Sequence, residues 1–236
     1  MAVNLQVKSR RYLLLIVVTT LILGTLAFLN KDKQQTSLMG NSGMTLVIDP
    51  GHGGIDSGAV GADGTRESDL NLAISLKLRA LAELYGQNNI LIRQDDSTKC
   101  DREPYSEHRD LECRAEIASN ALNPVYISVH QNDFPTGQPS GVQVIYAAGQ
   151  GSEEFGSITH ANLVNALYPQ SRRLAEPTTK KLYILSHLEC PAILVECGFL
   201  SNAVDLENLK KPAYQTALAA IMMGSYLQFL QNTARI

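Results

Sequence analysis

Thr45-Leu46-Val47-Ile48-Asp49, running straight into Pro50-Gly51-His52-Gly53-Gly54, is the stretch that decides the fold. Its first five residues are rich in Val and Ile and are bounded by Pro and Gly, the reading of a strand buried in a parallel sheet. The glycine-rich turn then delivers a histidine to the carboxyl end of that strand. The pattern occurs twice more: Val125 to Val129 (VYISV) runs into His130, and Ala192 to Val195 (AILV) runs into Glu196. In an open α/β sheet, ligands sit in the crevice beyond the carboxyl ends of the strands. Two imidazoles and a carboxylate therefore converge on one pocket.

Working outward, further strands are expected at Ile90 to Arg93, Val142 to Ala147 and Leu182 to Leu185. Leu70, Ile74, Leu78 and Leu81 recur at helical spacing within Asp69 to Tyr85, and Gly86 stops that helix. Other helices are expected at Leu111 to Ala121, Glu153 to Leu167 and Ala213 to Leu230, the last introduced by Pro212. Strands alternating with helices predict an α/β architecture, a mostly parallel open sheet of about six strands flanked by helices. The 193 residues from 44 to 236 suit one domain with a sizeable core.

A lone histidine after a strand is usually exposed or hydrogen-bonded, and an acidic residue at a helix start often only complements the dipole. Three functional strand ends together are harder to assign to chance, and Glu67 adds a fourth group just before the Leu70 helix. His108 and His160 read as solvent-exposed, whereas His187 precedes the Glu196 strand and could line the pocket. The glycines from Gly51 to Gly64 lack the Gly-Lys-Ser/Thr ending of a phosphate-binding P-loop and read as room for a turn.

Leu13 to Leu29 is uncharged and apolar, within the range of about 17 to 25 residues that spans a bilayer. Lys8, Arg10 and Arg11 precede it, which places the amino terminus inside and the bulk outside. The chain thus divides into a cytoplasmic segment (1–12), a single-pass signal anchor (13–29), a polar tether (30–43) and a catalytic domain (44–236). Cleavage of the apolar segment, which would release the protein, is the alternative. Five of the 20 basic residues but one of the 23 acidic residues precede residue 44, so the domain keeps 15 against 22, a net charge of −7. That acidity excludes nucleic acid as an expected partner, since such binding rests on phosphate neutralisation by Lys and Arg.

DPGHGG at Asp49 to Gly54, the acidic Glu67, SVHQN at Ser128 to Asn132 and PAILVECGFLSN at Pro191 to Asn202 together resemble the zinc-dependent N-acetylmuramoyl-L-alanine amidases with a single α/β catalytic domain. The likeness runs in order from about Thr45 to Leu230, with weaker features at Arg93 and Asp96 and at Leu111 and Arg114. It implies one Zn²⁺ per domain held by His52, Glu67 and His130, with Glu196 as the catalytic carboxylate. Asn132 and His187 are substrate-binding candidates. The chemistry agrees independently: two imidazoles and one carboxylate leave a tetrahedral position of zinc open for water, as in hydrolytic sites. The implied reaction cleaves the amide between the lactyl group of N-acetylmuramic acid and L-alanine in peptidoglycan. Gln131 and Ser68 depart from the family's usual residues, at positions that are not ligands.

The compact architecture and the segment from Tyr105 to Arg114 resemble the germination-type branch acting on spore cortex, with vegetative wall remodelling as the alternative. Only 65 residues separate His130 from Glu196, which leaves little chain for an occluding plug, so control is expected from anchoring, zinc supply or an activating protein partner. Cys100 and Cys113 bracket a polar excursion and could bridge in an oxidising exterior. Rival readings are a thiol hydrolase using Cys190 or Cys197 with His187, and an anchored wall-binding protein with an inactive site.

Overall fold

A computed structural model describes residues 43–100, 104–136, 139–179 and 182–234. The apolar run Leu13 to Leu29 lies outside them, and among the described residues no helix is long and apolar enough to cross a membrane.

Six strands form one sheet: β1 (Thr45–Pro50), β2 (Asn88–Leu91), β3 (Pro124–Asn132), β4 (Gln143–Tyr146), β5 (Glu176–Pro177) and β6 (Ala192–Phe199), in the order β2-β1-β3-β6-β4-β5. β2, β1, β3 and β6 run parallel, and β4 is antiparallel to β6. The chain leaves β1 toward β2 on one side and returns to β3 on the other, so the strand order reverses between β1 and β3. That switch point is where an α/β sheet opens a crevice.

Among the described residues, six helices flank the sheet: α1 (Glu67–Leu84), α2 (Glu107–Ser119), α3 (Ser152–Leu167), α4 (Tyr183–His187), α5 (Ala203–Leu209) and α6 (Pro212–Thr233). Strand alternation sends Leu46, Ile48, Val125, Ile127, Val129, Ile193 and Val195 to one face, where they pack with α1, α3, α5 and α6. Val47, Tyr126, Ala192 and Leu194 face the other way, beneath α2 and α4. On α1, Leu70, Ile74 and Leu78 are buried at the expected spacing, and Gly86 at φ +66° follows its end. Pro212 opens α6, where its missing N–H has no helical partner to lose.

Two expectations fail. Leu182 to Leu185 is not a strand: Tyr183 to His187 is helical, with Ser186 N–H donating to the Leu182 carbonyl and Leu188 N–H to that of Ile184. A short apolar run does not carry its own periodicity, and here only Leu185 and Leu188, three apart, are buried. The sheet's edge is instead the two-residue β5, where a proline is tolerated. His160 is also not exposed: it is 3% accessible and lies 2.9 Å through Nε2 from the Arg173 carbonyl.

Candidate metal centre

His52 lies two residues beyond the end of β1, His130 and Glu196 are register partners on β3 and β6, and Glu67 is the first residue of α1. The residues that strand ends and helix start were expected to bring together do meet. One donor atom each from His52, Glu67 and His130 lies within 4.8 Å of the others. His52 Nε2 is 3.3 Å from Glu67 Oε2, and His130 Nδ1 is 3.0 Å from Glu67 Oε1.

Backbone geometry makes room for this meeting. His52 has φ +60°, a conformation that costs a non-glycine residue on the order of 1 kcal/mol. A Cβ on Gly51 would overlap the His130 ring, and one on Gly58 would sit 2.5 Å from Glu67 Oε2. The turn can pass beside both ligands only because these positions carry no side chain.

Each group is held by neighbours. His52 Nδ1 is 2.7 Å from Asp56 Oδ2, which fixes the ring and leaves Nε2 toward Glu67. Glu67, 3% exposed, accepts from the backbone N–H of Ala59 and Gln131 and from Asn71 Nδ2. Burial alone would raise its pKa, but hydrogen bonds with His130 and His52 hold it well below the usual carboxylate range. For His52, burial works to lower the pKa, yet the carboxylates of Asp56 and Glu67 carry it up to about 10. Two carboxylates around one ring call for positive charge, which a metal cation would supply. The donor set thus fits a divalent ion of the zinc kind, with imidazole and carboxylate ligands and a buried acidic member.

Glu196, beside His130 on the neighbouring strand, lines the same cleft. Its Oε2 is enclosed and has no hydrogen-bond partner in the structure, and burial pushes its pKa up to about 7. In front lies a cleft of about 280 Å³ containing His52, His130 and Glu196, with Leu182, Ile184 and Leu185 among its apolar lining and Tyr105 and Glu107 among its polar lining. Among the described residues, none from 149 to 179 lines it.

The remaining candidates fall elsewhere. Asn132 sits past a bulge in β3, its carbonyl accepting from Leu200 N–H, and it is not among the cleft residues. His187 is exposed at the end of α4, stacked on Tyr183 at 4.0 Å, and does not line the cleft either. His108 is exposed and meets Tyr183 edge-on. Cys197 points into the opposite face of the sheet, and burial raises the thiols of both Cys197 and Cys190, the latter to about 11. Neither thiol reaches the cleft. Cys100 and Cys113 form a disulfide with Cα atoms 6.2 Å apart.

Sequence reasoning missed Asp56 and Asn71. The expectation that a ligating histidine leans on a carboxylate through its second nitrogen was the signal available, since Asp56 lies four residues beyond His52.

The family model described as N-acetylmuramoyl-L-alanine amidase matches residues 46–225. A germination-specific N-acetylmuramoyl-L-alanine amidase of Bacillus subtilis is 29% identical over 212 residues, 86% of each chain. The CwlD amidase of Clostridioides difficile, solved in complex with the GerS lipoprotein, superposes with a TM-score of 0.75 at 35% identity, over 79% of this chain and 98% of that one. The AmiC2 amidase of Nostoc punctiforme gives 0.70 at 28% identity, over 81% and 99%.

Proposed function

The chain belongs to the N-acetylmuramoyl-L-alanine amidase family, and from that premise we propose that it hydrolyses the lactyl-to-L-alanine amide of peptidoglycan, with His52, Glu67 and His130 holding one Zn²⁺ and Glu196 carrying the proton. The observation that supports this reading is the convergence of three ligand atoms within 4.8 Å beside an enclosed carboxylate oxygen that nothing else satisfies. When bound, zinc supplies Lewis acidity for the scissile carbonyl and the attacking water.

The protein's own groups do the rest. Asp56 fixes the His52 ring, and the backbone N–H groups of Ala59 and Gln131 fix the Glu67 carboxylate, so the ligands need little reorganisation. Glu196 accepts a proton from the attacking water and returns it to the amide nitrogen, which leaves as a neutral amine. A pKa near 7 suits a group that must both take and give a proton at neutral pH. The apolar lining of Leu182, Ile184 and Leu185 keeps bulk water from part of the cleft.

Similarity to the germination-specific amidase supports a role in spore-cortex remodelling, ahead of vegetative wall turnover. The relative solved in complex with a lipoprotein supports an accessory protein, and an open cleft is consistent with control from outside the domain. We also place the domain outside the membrane, tethered by Leu13 to Leu29. Mass spectrometry of muropeptides treated with the purified, zinc-loaded full chain tests the reaction. Free stem peptides with an L-alanine amino terminus are expected. Cleavage at any other bond, or none with or without a lipoprotein partner, would remove the assignment.

A further inference from the structure

Three consecutive carbonyls, those of Pro50, Gly51 and His52, turn inward from the loop that carries the first histidine. They meet two buried guanidinium groups. Arg93 Nε donates to the Pro50 carbonyl at 2.9 Å, and Arg93 Nη2 donates both to Gly51 at 3.0 Å and to Ser68 at 2.8 Å. Arg114 Nη1 donates to Pro50 at 2.9 Å and Arg114 Nη2 to His52 at 2.7 Å. Both arginines are almost wholly enclosed, at 1% and 2% exposure.

The partners are specific in a way that matters for the metal. Gly51 precedes His52 and Ser68 follows Glu67, so a single Arg93 nitrogen ties the backbone beside one candidate ligand to the backbone beside another. Arg114 bonds the carbonyl of His52 itself, whose φ of +60° is a conformation that needs outside support. Arg114 is in turn held by Asp49 at 2.6 Å from β1 and by Asp110 at 2.6 Å from its own helix. We infer that Arg93 and Arg114 are positioning residues for the metal centre, setting His52 against Glu67 through backbone carbonyls and not through the ligand side chains. The inference rests on the reading that His52, Glu67 and His130 hold the ion.

Guanidinium suits this task and ammonium does not. Arginine offers five N–H donors in one rigid plane, enough to reach two or three carbonyls at once, whereas lysine places one charge at one point. A lysine at either position keeps the charge that the nearby carboxylates require but loses the fork. Pro50 keeps one arginine after either change and Gly51 keeps Asn71 Nδ2, so the bonds at stake are those of Arg114 to the His52 carbonyl and of Arg93 to the Ser68 carbonyl, beside the two ligands.

The test uses the metal-stripped full chain, with zinc affinity read by chelator competition, Co²⁺ absorption as a spectroscopic signature of ligand geometry, and thermal melting of the apo form. Arg114→Lys and Arg93→Lys should each weaken zinc binding by roughly 10- to 100-fold and shift the Co²⁺ bands. Phe155→Leu, a core change under α6 on the far face of the sheet, is the control; it should lower the melting temperature and leave zinc affinity at the wild-type value. Wild-type affinity in both lysine variants would overturn the inference, as would an equal loss in Phe155→Leu, which would make affinity a mere consequence of stability. If Arg114→Lys does not fold, Arg93→Lys decides alone. Absence of zinc binding by the wild-type chain would instead remove the metal reading on which the inference stands.

Discussion

The two faces of the sheet are built from the same strands and share almost nothing else. On one, Ile48, Val125, Ile127, Val129, Ile193 and Val195 are sealed beneath the long helices α1, α3 and α6. On the other, the alternate positions of β1, β3 and β6 pass from Val47, Tyr126 and Leu194 to Asp49, Ser128, His130 and Glu196, under the shorter α2 and the five-residue α4. A period of two lets one strand serve packing and chemistry without compromise, since each side chain belongs wholly to one face. Stability and activity should therefore separate by residue parity along β3 and β6.

The largest test of that division is removal of the metal. A strong chelator should abolish turnover entirely and stoichiometric Zn²⁺ should restore it, while circular dichroism shows the fold retained because the sealed face is untouched. Turnover that survives chelation would put the chemistry somewhere other than the open face. Glu196→Gln comes next: zinc content should stay at one per chain while kcat falls by roughly a hundred- to ten-thousandfold. A variant near wild-type rates would take Glu196 out of proton transfer.

Three residues earlier on the same strand, Ile193→Ala should do the reverse, costing about 2–5 kcal/mol in denaturant unfolding with kcat per folded molecule unchanged. A matching loss of kcat would show that the faces are coupled. Smallest of all, Cys197→Ala removes one buried sulfur from the sealed face and should cost about 1 kcal/mol with turnover intact. Loss of turnover with stability kept would bring the thiol back into consideration.

How much of this was legible depended on whether a segment carried its own period. β1, β3 and β6 are Val- and Ile-rich runs ending at His52, His130 and Glu196, so their direction and their functional ends could be read together. α1 announced itself through Leu70, Ile74 and Leu78. The Tyr183 helix did not, because four apolar residues fit a strand as well as a turn of helix, and only packing of Leu185 and Leu188 against the sheet decides. α5 was passed over although Asn202 caps it, accepting from Val204 and Asp205 N–H, since seven residues hold too few repeats to show a face. His160 was misplaced for another reason: it is buried against the chain that follows its helix, where its Nε2 meets the Arg173 carbonyl 13 residues on, and helical spacing alone does not record that return. The support of the site was the least visible part. Asp56 holds the His52 ring, and Arg93 and Arg114 spread their donors over carbonyls of the loop that follows β1, partners distant in sequence for both arginines that no local pattern records.

Gly51 shows where such a centre is most fragile. It has no side chain to ligate a metal or move a proton, yet the smallest added group, a methyl, would claim the volume already filled by the His130 imidazole. The ring would have to swing away or the turn would have to lift, and either motion separates His130 from His52. A list of residues ranked by chemical capability would put this position last. Ranked by how few of the twenty amino acids it can hold, it stands beside the ligands themselves, so a saturation library across residues 49 to 56 should return Gly51 as intolerant as His52.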